Sequence, residues 1–279
     1  MTSSRTATST NPPLYRDVLE QIHWHLLPRT YIEIGVFGGA SLRRTAPGTR
    51  ILGIDPDPQL TVALPDNATI LDVTSDDFFA RPDVDDLLGG LPVDLAFVDG
   101  MHHFEFALRD FMHLERLASP DSTVLVHDCL PIDAETATRD RATAVWSGDV
   151  WKVILCLKEY RPDLRVTTLD AAPTGLGVIQ GLDPTSTVLD EAYDEIIARY
   201  VDLPFEVLDD KHRQLNVEPV TAETISTLWP RRPTRRRTPA MYARHYGSAA
   251  VRKSEALVKR TPLKALVGPF VRRLRHTGG

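Results

Sequence analysis

Cysteine is scarce in this chain of 279 residues: Cys129 and Cys156 are the only two, and no metal-ligand spacing joins them. That excludes a disulfide-built fold and a cysteine zinc site, and it fits reduced thiols in a cytosolic protein. Long apolar runs are missing too. No stretch approaches the roughly 20 apolar residues that span a bilayer. The opening MTSSRTATSTNPP lacks the apolar core of a secretory signal. What is present, 42% hydrophobic and 25% charged residues, is the mixture of a water-soluble globular protein. The length allows one large α/β domain with appendages.

The net charge of −6 hides an uneven split. From Arg231 onward there are 14 Lys and Arg against Glu255 alone, while the preceding 230 residues hold 18 basic and 37 acidic residues. The chain is an acidic body with a basic tail.

Residues 1–13 read as a disordered leader and 14–182 as the main domain, followed by a helical extension over 183–230 and a basic, partly amphipathic tail over 231–279. Within the main domain, short β-branched runs alternate with helix-length segments: YIEIGV (31–36), RILGID (50–55), ATILDV (68–73), DLAFVDG (94–100) and STVLVHD (122–128). Continuous apolar strands of this kind predict a parallel sheet covered on both faces. RVTTL and GLGVIQGL add an antiparallel hairpin at the edge. The expected fold is α/β: a doubly wound, mostly parallel, seven-stranded sheet with ligands beyond the carboxyl ends of its strands. In the extension, TVLDEAYDEIIARYV reads as one helix, a candidate lid or contact between copies in a homo-oligomer.

YIEIGVFGGASL reads as a strand running into glycines and then a helix. Gly35, Gly38 and Gly39 permit torsions and close approaches denied to other residues. Their G-x-x-G-G spacing departs from the G-x-G-x-x-G of dinucleotide sites. Glu33, two residues before the first glycine, repels a pyrophosphate and favours a cationic ligand. Asp55 follows Gly35 by 20 residues, at the end of the second strand, placed to accept hydrogen bonds from ribose hydroxyls. Asp72 ends the third strand. Glu33, Gly35, Gly38, Gly39, Ser41, Asp55, Asp72 and Asp99 form the expected pocket for a nucleoside bearing an amino acid and a sulfonium, S-adenosylmethionine. The plain alternative is that the glycines permit tight packing and the acids are solvated strand ends.

These motifs, with ILGIDPD and DLAFVDGMHHFEFALRDFMHLERLASPDSTVLVHDCLP, resemble class I S-adenosylmethionine-dependent methyltransferases of the methyltransferase domain 24 type. More distantly they resemble macrocin-type sugar O-methyltransferases and the cephalosporin hydroxylase family. The resemblance covers roughly residues 14–182. It implies O-methylation of a hydroxyl on a sugar or other small metabolite, with a divalent cation as candidate helper. In metal-dependent relatives the ligands follow the fourth and fifth strands, and the matching positions are Asp99, His127 and Asp128. His127 stands where those relatives have a carboxylate, and imidazole brings manganese, iron or zinc into range beside magnesium.

Methyl transfer to an alcohol needs its proton removed, and histidine titrates near working pH. His102 and His103, directly after Asp99, are the candidate bases, with Asp99 a metal ligand or a hydrogen-bond acceptor beside the methyl group. The periodicity starts a helix near His103 that buries Phe104, Ala107, Leu108 and Phe111, and it leaves open which imidazole points inward. For either histidine the plain reading is a capping or solvated side chain.

The tail has three candidate partners: an anionic membrane surface, which would make the protein peripheral there, the acidic face of its own domain or of another subunit, and nucleic acid. The last is disfavoured by the acidic body and the lack of interleaved aromatics. Two rival functions remain at this level. One is a non-haem iron oxygenase, which would leave the nucleotide turn idle. The other is a non-catalytic cofactor-binding or membrane-recruited interaction module.

Overall fold

A computed structural model describes residues 11–230. The start of the leader and the whole basic tail lie outside the described residues, and with them the membrane, nucleic-acid and docking readings of the tail. Among the described residues no helix is long and apolar enough to cross a membrane.

The chain enters through α1 (Tyr15–Leu26), which buries Val18, Leu19 and Ile22 and stops at Leu27 in a left-handed conformation, φ 48°. There follow β1 (Thr30–Ile34), β2 (Arg50–Ile54), β3 (Ala68–Leu71), α2 (Ser75–Phe79), α3 (Val84–Leu88), β4 (Val93–Val98), α4 (Phe104–Arg116) and β5 (Ala118–His127). After a long connection come α5 (Lys152–Tyr160), β6 (Arg165–Asp170), β7 (Leu176–Gln180), α6 (Val188–Glu191) and α7 (Tyr193–Tyr200). The last elements are α8 (Lys211–Gln214), β8 (Val217–Pro219) and α9 (Ala222–Leu228).

The sheet order is β3-β2-β1-β4-β5-β7-β6-β8. Strands β1 to β5 are parallel, and β7 runs antiparallel to both β5 and β6. The doubly wound, mostly parallel sheet expected from the sequence is therefore present, with one strand more than foreseen. β8 pairs parallel with β6, Thr168 opposite Val217, and covers the outer strand of the hairpin. It arises inside 183–230, read as wholly helical, because three residues are too few to give a strand pattern. Asn216 secures it by donating from Nδ2 to the Val166 carbonyl, 3.0 Å, and accepting from Thr168 N through its own carbonyl, 3.0 Å.

Every residue of β1 is buried. Ile32 and Ile34 join Phe104, Leu108 and Phe111 of α4 in one core, while Tyr31 joins Val18, Leu19 and Ile22 of α1 in the other. A strand apolar on both faces needs this double cover, and each fully buried Leu or Ile contributes about 1.5–3 kcal/mol.

Two further expectations are corrected. The glycine turn does not run into an α-helix: Leu42–Arg44 is a single 3-10 turn. Pro47 and the left-handed Gly48, φ 69°, follow at once and leave no room for propagation. TVLDEAYDEIIARYV is two helices divided at Ala192, not one. Its Leu189, Ile196 and Tyr200 are buried in the core with α4 and α5, so the segment is a fixed part of the fold rather than a lid.

The chain passes outward from β1 to β2 and β3, then returns to β4 on the other side of β1. That reversal sets the carboxyl ends of β1 and β4 side by side, the place where open α/β sheets take their ligands.

Candidate active site

On the β1–β2 side of this edge the polar groups are largely consumed within the chain. Asp55 Oδ2 accepts from Val36 N (2.9 Å) and Phe37 N (2.7 Å), and Oδ1 accepts from Asp57 N (2.9 Å). The expected ribose acceptor thus also ties the end of β2 to the glycine turn. Gly35 adopts φ +87°, and a Cβ there would lie 2.0 Å from the Asp99 carbonyl oxygen. It is glycine because β4 ends against it.

Gly38 and Gly39 are buried, and their Cβ directions meet Thr61 Oγ1 at 3.0 Å and Leu64 Cδ2 at 2.7 Å. The 59–64 segment is held there by Gln59 N and Thr61 N, which donate to the carbonyls of Phe37 and Gly38. Glu33 is fully buried, accepting from the Tyr31 hydroxyl at 2.7 Å and from the Ser41 hydroxyl. Burial pushes its pKa up to about 8. At neutral pH it braces the turn as a hydrogen-bonding group more than as a charge. Asp72 is exposed just beyond β3. Phe37 at the tip of the turn is 73% exposed.

The β4–β5 side is crowded with ionisable groups. His127 Nδ1 lies 3.0 Å from Asp99 Oδ1 and 3.2 Å from Asp128 Oδ2. His102 Nδ1 lies 2.9 Å from Asp128 Oδ2, and its Nε2 is 3.6 Å from Asp99 Oδ1. Two of these residues, His102 (φ 55°) and Asp128 (φ 62°), are in the left-handed region. Non-glycine residues held there cost on the order of 1 kcal/mol each and cluster at functional sites. The side chains of Asp99 and His102 are 18% and 23% exposed, those of His127 and Asp128 only 8% and 3%. Solvent therefore reaches the first pair more than the second.

Of the two candidate bases only His102 enters this cluster. His103 precedes α4 and turns its Nε2 to the Arg139 carbonyl, 3.0 Å away. Asp99, His102 and Asp128 each offer one ligand atom within 4.8 Å of the others, a mixed oxygen and nitrogen set suited to a divalent transition ion. The imidazole in that group is His102 rather than His127. The Nδ1 of His127 is engaged by both carboxylates, and its Nε2 is buried with no hydrogen-bond partner.

The charges hold one another in place. Burial works against charge on His127, but Asp99 and then Asp128 outweigh it and raise its pKa to about 10. Burial also opposes charge on Asp128, yet His127 and His102 keep its carboxyl well below the usual carboxylate range. For His102, burial lowers the pKa while the hydrogen bond and charge of Asp128, then Asp99, raise it further, so the net shift is upward.

Three neighbours carried no signal in the sequence. Tyr15 of α1 brings its hydroxyl within 3.5 Å of Asp99 Oδ2 and sets its ring, tilted by 38°, 3.9 Å from that of His127. Thr174 donates its hydroxyl to Asp128 Oδ1. Trp146, in the β5–α5 connection, lies parallel to His102 at 5.0 Å and 8°. All three reach the site only through sheet topology, from 84, 46 and 44 residues away. Two surface cavities of about 590 and 460 Å³ lie elsewhere and include none of Asp99, His102, His127 and Asp128.

Residues 32–129 match a family described as a methyltransferase domain. No curated protein matches the chain. Among solved structures, the cofactor-bound Rv0187 from MTB is 19% identical with a TM-score of 0.47, the match covering 64% of this chain and 83% of that one. The O-methyltransferase TomG from Streptomyces achromogenes, in complex with SAM, is 19% identical with a TM-score of 0.45, covering 61% and 80%. An O-methyltransferase from Bacillus cereus, in complex with SAH, is 13% identical with a TM-score of 0.43, covering 63% and 83%. The segment that matches the methyltransferase domain runs from within β1 to just past β5 and carries Asp55, Asp99, His102 and Asp128.

Proposed function

We propose that this chain transfers a methyl group from S-adenosylmethionine to a hydroxyl oxygen of a small molecule, a sugar or another hydroxylated metabolite. One observation carries the reading: within the matched segment, Asp99, His102 and Asp128 converge where β4 and β5 end, beside the turn after β1. The donor supplies an electrophilic methyl. The acceptor oxygen attacks it, the carbon–sulfur pair returns to sulfur, and the hydroxyl proton must leave for a base.

His102 suits that proton. Its Nδ1 faces two acceptors, Asp128 Oδ2 at 2.9 Å and the Trp146 carbonyl at 3.2 Å, so in the neutral ring Nδ1 carries the hydrogen and Nε2 the lone pair. Its raised pKa makes it a stronger base that is active when neutral, so turnover is expected to rise with pH through that pKa. A profile that falls from neutral to alkaline pH would remove His102 from the role.

A divalent ion fits the same place. Asp99, His102 and Asp128 would hold it, and it would lower the pKa of the acceptor hydroxyl. Nε2 cannot serve as ligand and base at once, so a metal requirement decides between the two uses. On the donor side, Asp55 keeps an acceptor position on Oδ1 for ribose, and Gly35, Gly38, Gly39 and Ser41 shape the turn. Glu33 supports that turn from beneath.

The test is formation of S-adenosylhomocysteine from S-adenosylmethionine across a panel of hydroxylated acceptors, with magnesium, manganese or a chelator. Asp99→Asn is expected to keep affinity for S-adenosylhomocysteine by calorimetry and to lose about a hundredfold in turnover. Absence of binding by the native chain would end the proposal. Binding with no turnover on any acceptor would leave a cofactor-binding module.

A further inference from the structure

The connection between β5 and α5 is far more heavily anchored than a surface loop requires. Asp149, 1% exposed, is its hub. Oδ1 accepts from Phe104 N at 2.7 Å and so supplies the N-terminal cap of α4, a task the side chain of His103 does not perform. Oδ2 accepts from Arg139 Nη1 at 2.7 Å and from Lys152 Nζ at 2.9 Å. Arg139 also grips both oxygens of Glu105 in the first turn of α4, at 3.0 and 2.5 Å. The 139–149 segment is thus bolted to the start of the helix that His102 precedes.

Between those bolts lie the contacts to His102 itself. Asp149 N donates to the His102 carbonyl at 3.2 Å. Gly148, φ +58°, lies so close that a Cβ there would stand 1.8 Å from the same oxygen. Trp146 stacks on the imidazole, its carbonyl faces Nδ1, and its own Nε1 is anchored on the Thr138 carbonyl at 2.7 Å. Trp146 thus contacts the ring of His102 and Asp149 its backbone.

We propose that Trp146 and Asp149 are positioning residues: the anchored 139–149 segment fixes the ring plane of His102 and keeps its hydrogen on Nδ1, leaving Nε2 free on the side of Asp99. A ring free to flip would present either nitrogen, and a misplaced lone pair is costly to proton transfer and metal binding alike. The inference rests on His102 being the working imidazole of the proposed transfer, but its test does not need turnover.

Nitrogen-15 NMR of the full chain, labelled at histidine nitrogens and recorded at alkaline pH, reads the tautomer directly, with His102→Gln identifying the resonances. The native chain is expected to show the Nδ1–H form alone. Trp146→Leu is expected to move both nitrogens towards the tautomer average, and Trp146→Phe, which keeps a stacking ring, to restore the native pair. With manganese alone as probe, Trp146→Leu is expected to lose about ten- to a hundredfold in any affinity the native chain has. If Trp146→Leu does not fold, Arg139→Gln, which unties the segment from Glu105 and Asp149, is scored by the same shifts. An Nε2–H form in the native chain, or a folded variant with unchanged nitrogen shifts, overturns the proposal. A native Nδ1–H spectrum in a chain that never transfers methyl would overturn the proposed function and leave the positioning role standing.

Discussion

At the carboxyl ends of β1 and β2, backbone amides engage both oxygens of the Asp55 carboxylate, Tyr31 and Ser41 engage that of Glu33, and chain segments press on all three glycines of the turn. At the ends of β4 and β5, two acids and two imidazoles lie within 3.6 Å of one another in a chain of contacts, two of the four residues are left-handed, and one buried imidazole nitrogen has no partner. The first half stabilises a shape and the second gathers ionisable groups. The glycines, the most conspicuous feature of the sequence, have internal packing reasons sufficient to explain them. The ionisable groups concentrate after β4 and β5, where the sequence already offers Asp99, His102, His127 and Asp128 as candidates.

Gly35 joins the two halves, so its replacement should do most to break the contrast. Gly35→Ala puts a methyl group against the Asp99 backbone at a torsion unsuited to alanine, and is expected to cost about 4 kcal/mol in denaturant unfolding. A loss under about 1 kcal/mol would mean β4 does not end where described. Asp128→Ala removes the acceptor shared by His102, His127 and Thr174, and should cost about 3 kcal/mol and any manganese affinity together. Loss of stability with metal affinity intact would separate the pair network from the ligand set.

Asp55→Ala orphans up to three amides and is expected to cost about 2 kcal/mol while weakening S-adenosylhomocysteine binding. If affinity falls and stability does not, the carboxylate belongs to the ligand more than to the turn.

The subtlest effect concerns Glu33. Its folded pKa of about 8 exceeds its ordinary 4.5, so the folded chain holds this proton more tightly than the unfolded one. The stability from that proton is complete below pH 4.5 and is lost as pH rises to about 8. Glu33→Gln is expected to flatten that decline, and identical pH dependence in both chains would show the carboxyl to be ionised throughout.

Much of the architecture was legible in advance because parallel strands covered on both faces must be apolar at nearly every position, as YIEIGV and DLAFVDG are. The helix assigned after the glycine turn failed because Pro47 and Gly48 stop it within one turn. β8 was invisible because its pairing with β6 comes from the neighbouring strand and not from its own three residues. At the site, Asp99, His127 and Asp128 could be placed at adjacent strand ends from strand order alone, whereas the choice of His102 over His103 could not be made.

The sequence by itself determined the covered parallel sheet, the edge at which Asp99, His127 and Asp128 emerge, and the acidic body with its basic tail, since each follows from local pattern or composition. Tertiary structure alone decided which imidazole meets the acids, that Tyr15, Trp146 and Thr174 close around them, and that Asp149 caps a helix 45 residues away. Those outcomes depend on contacts between segments distant in the chain, and such contacts leave no periodicity for a sequence to display.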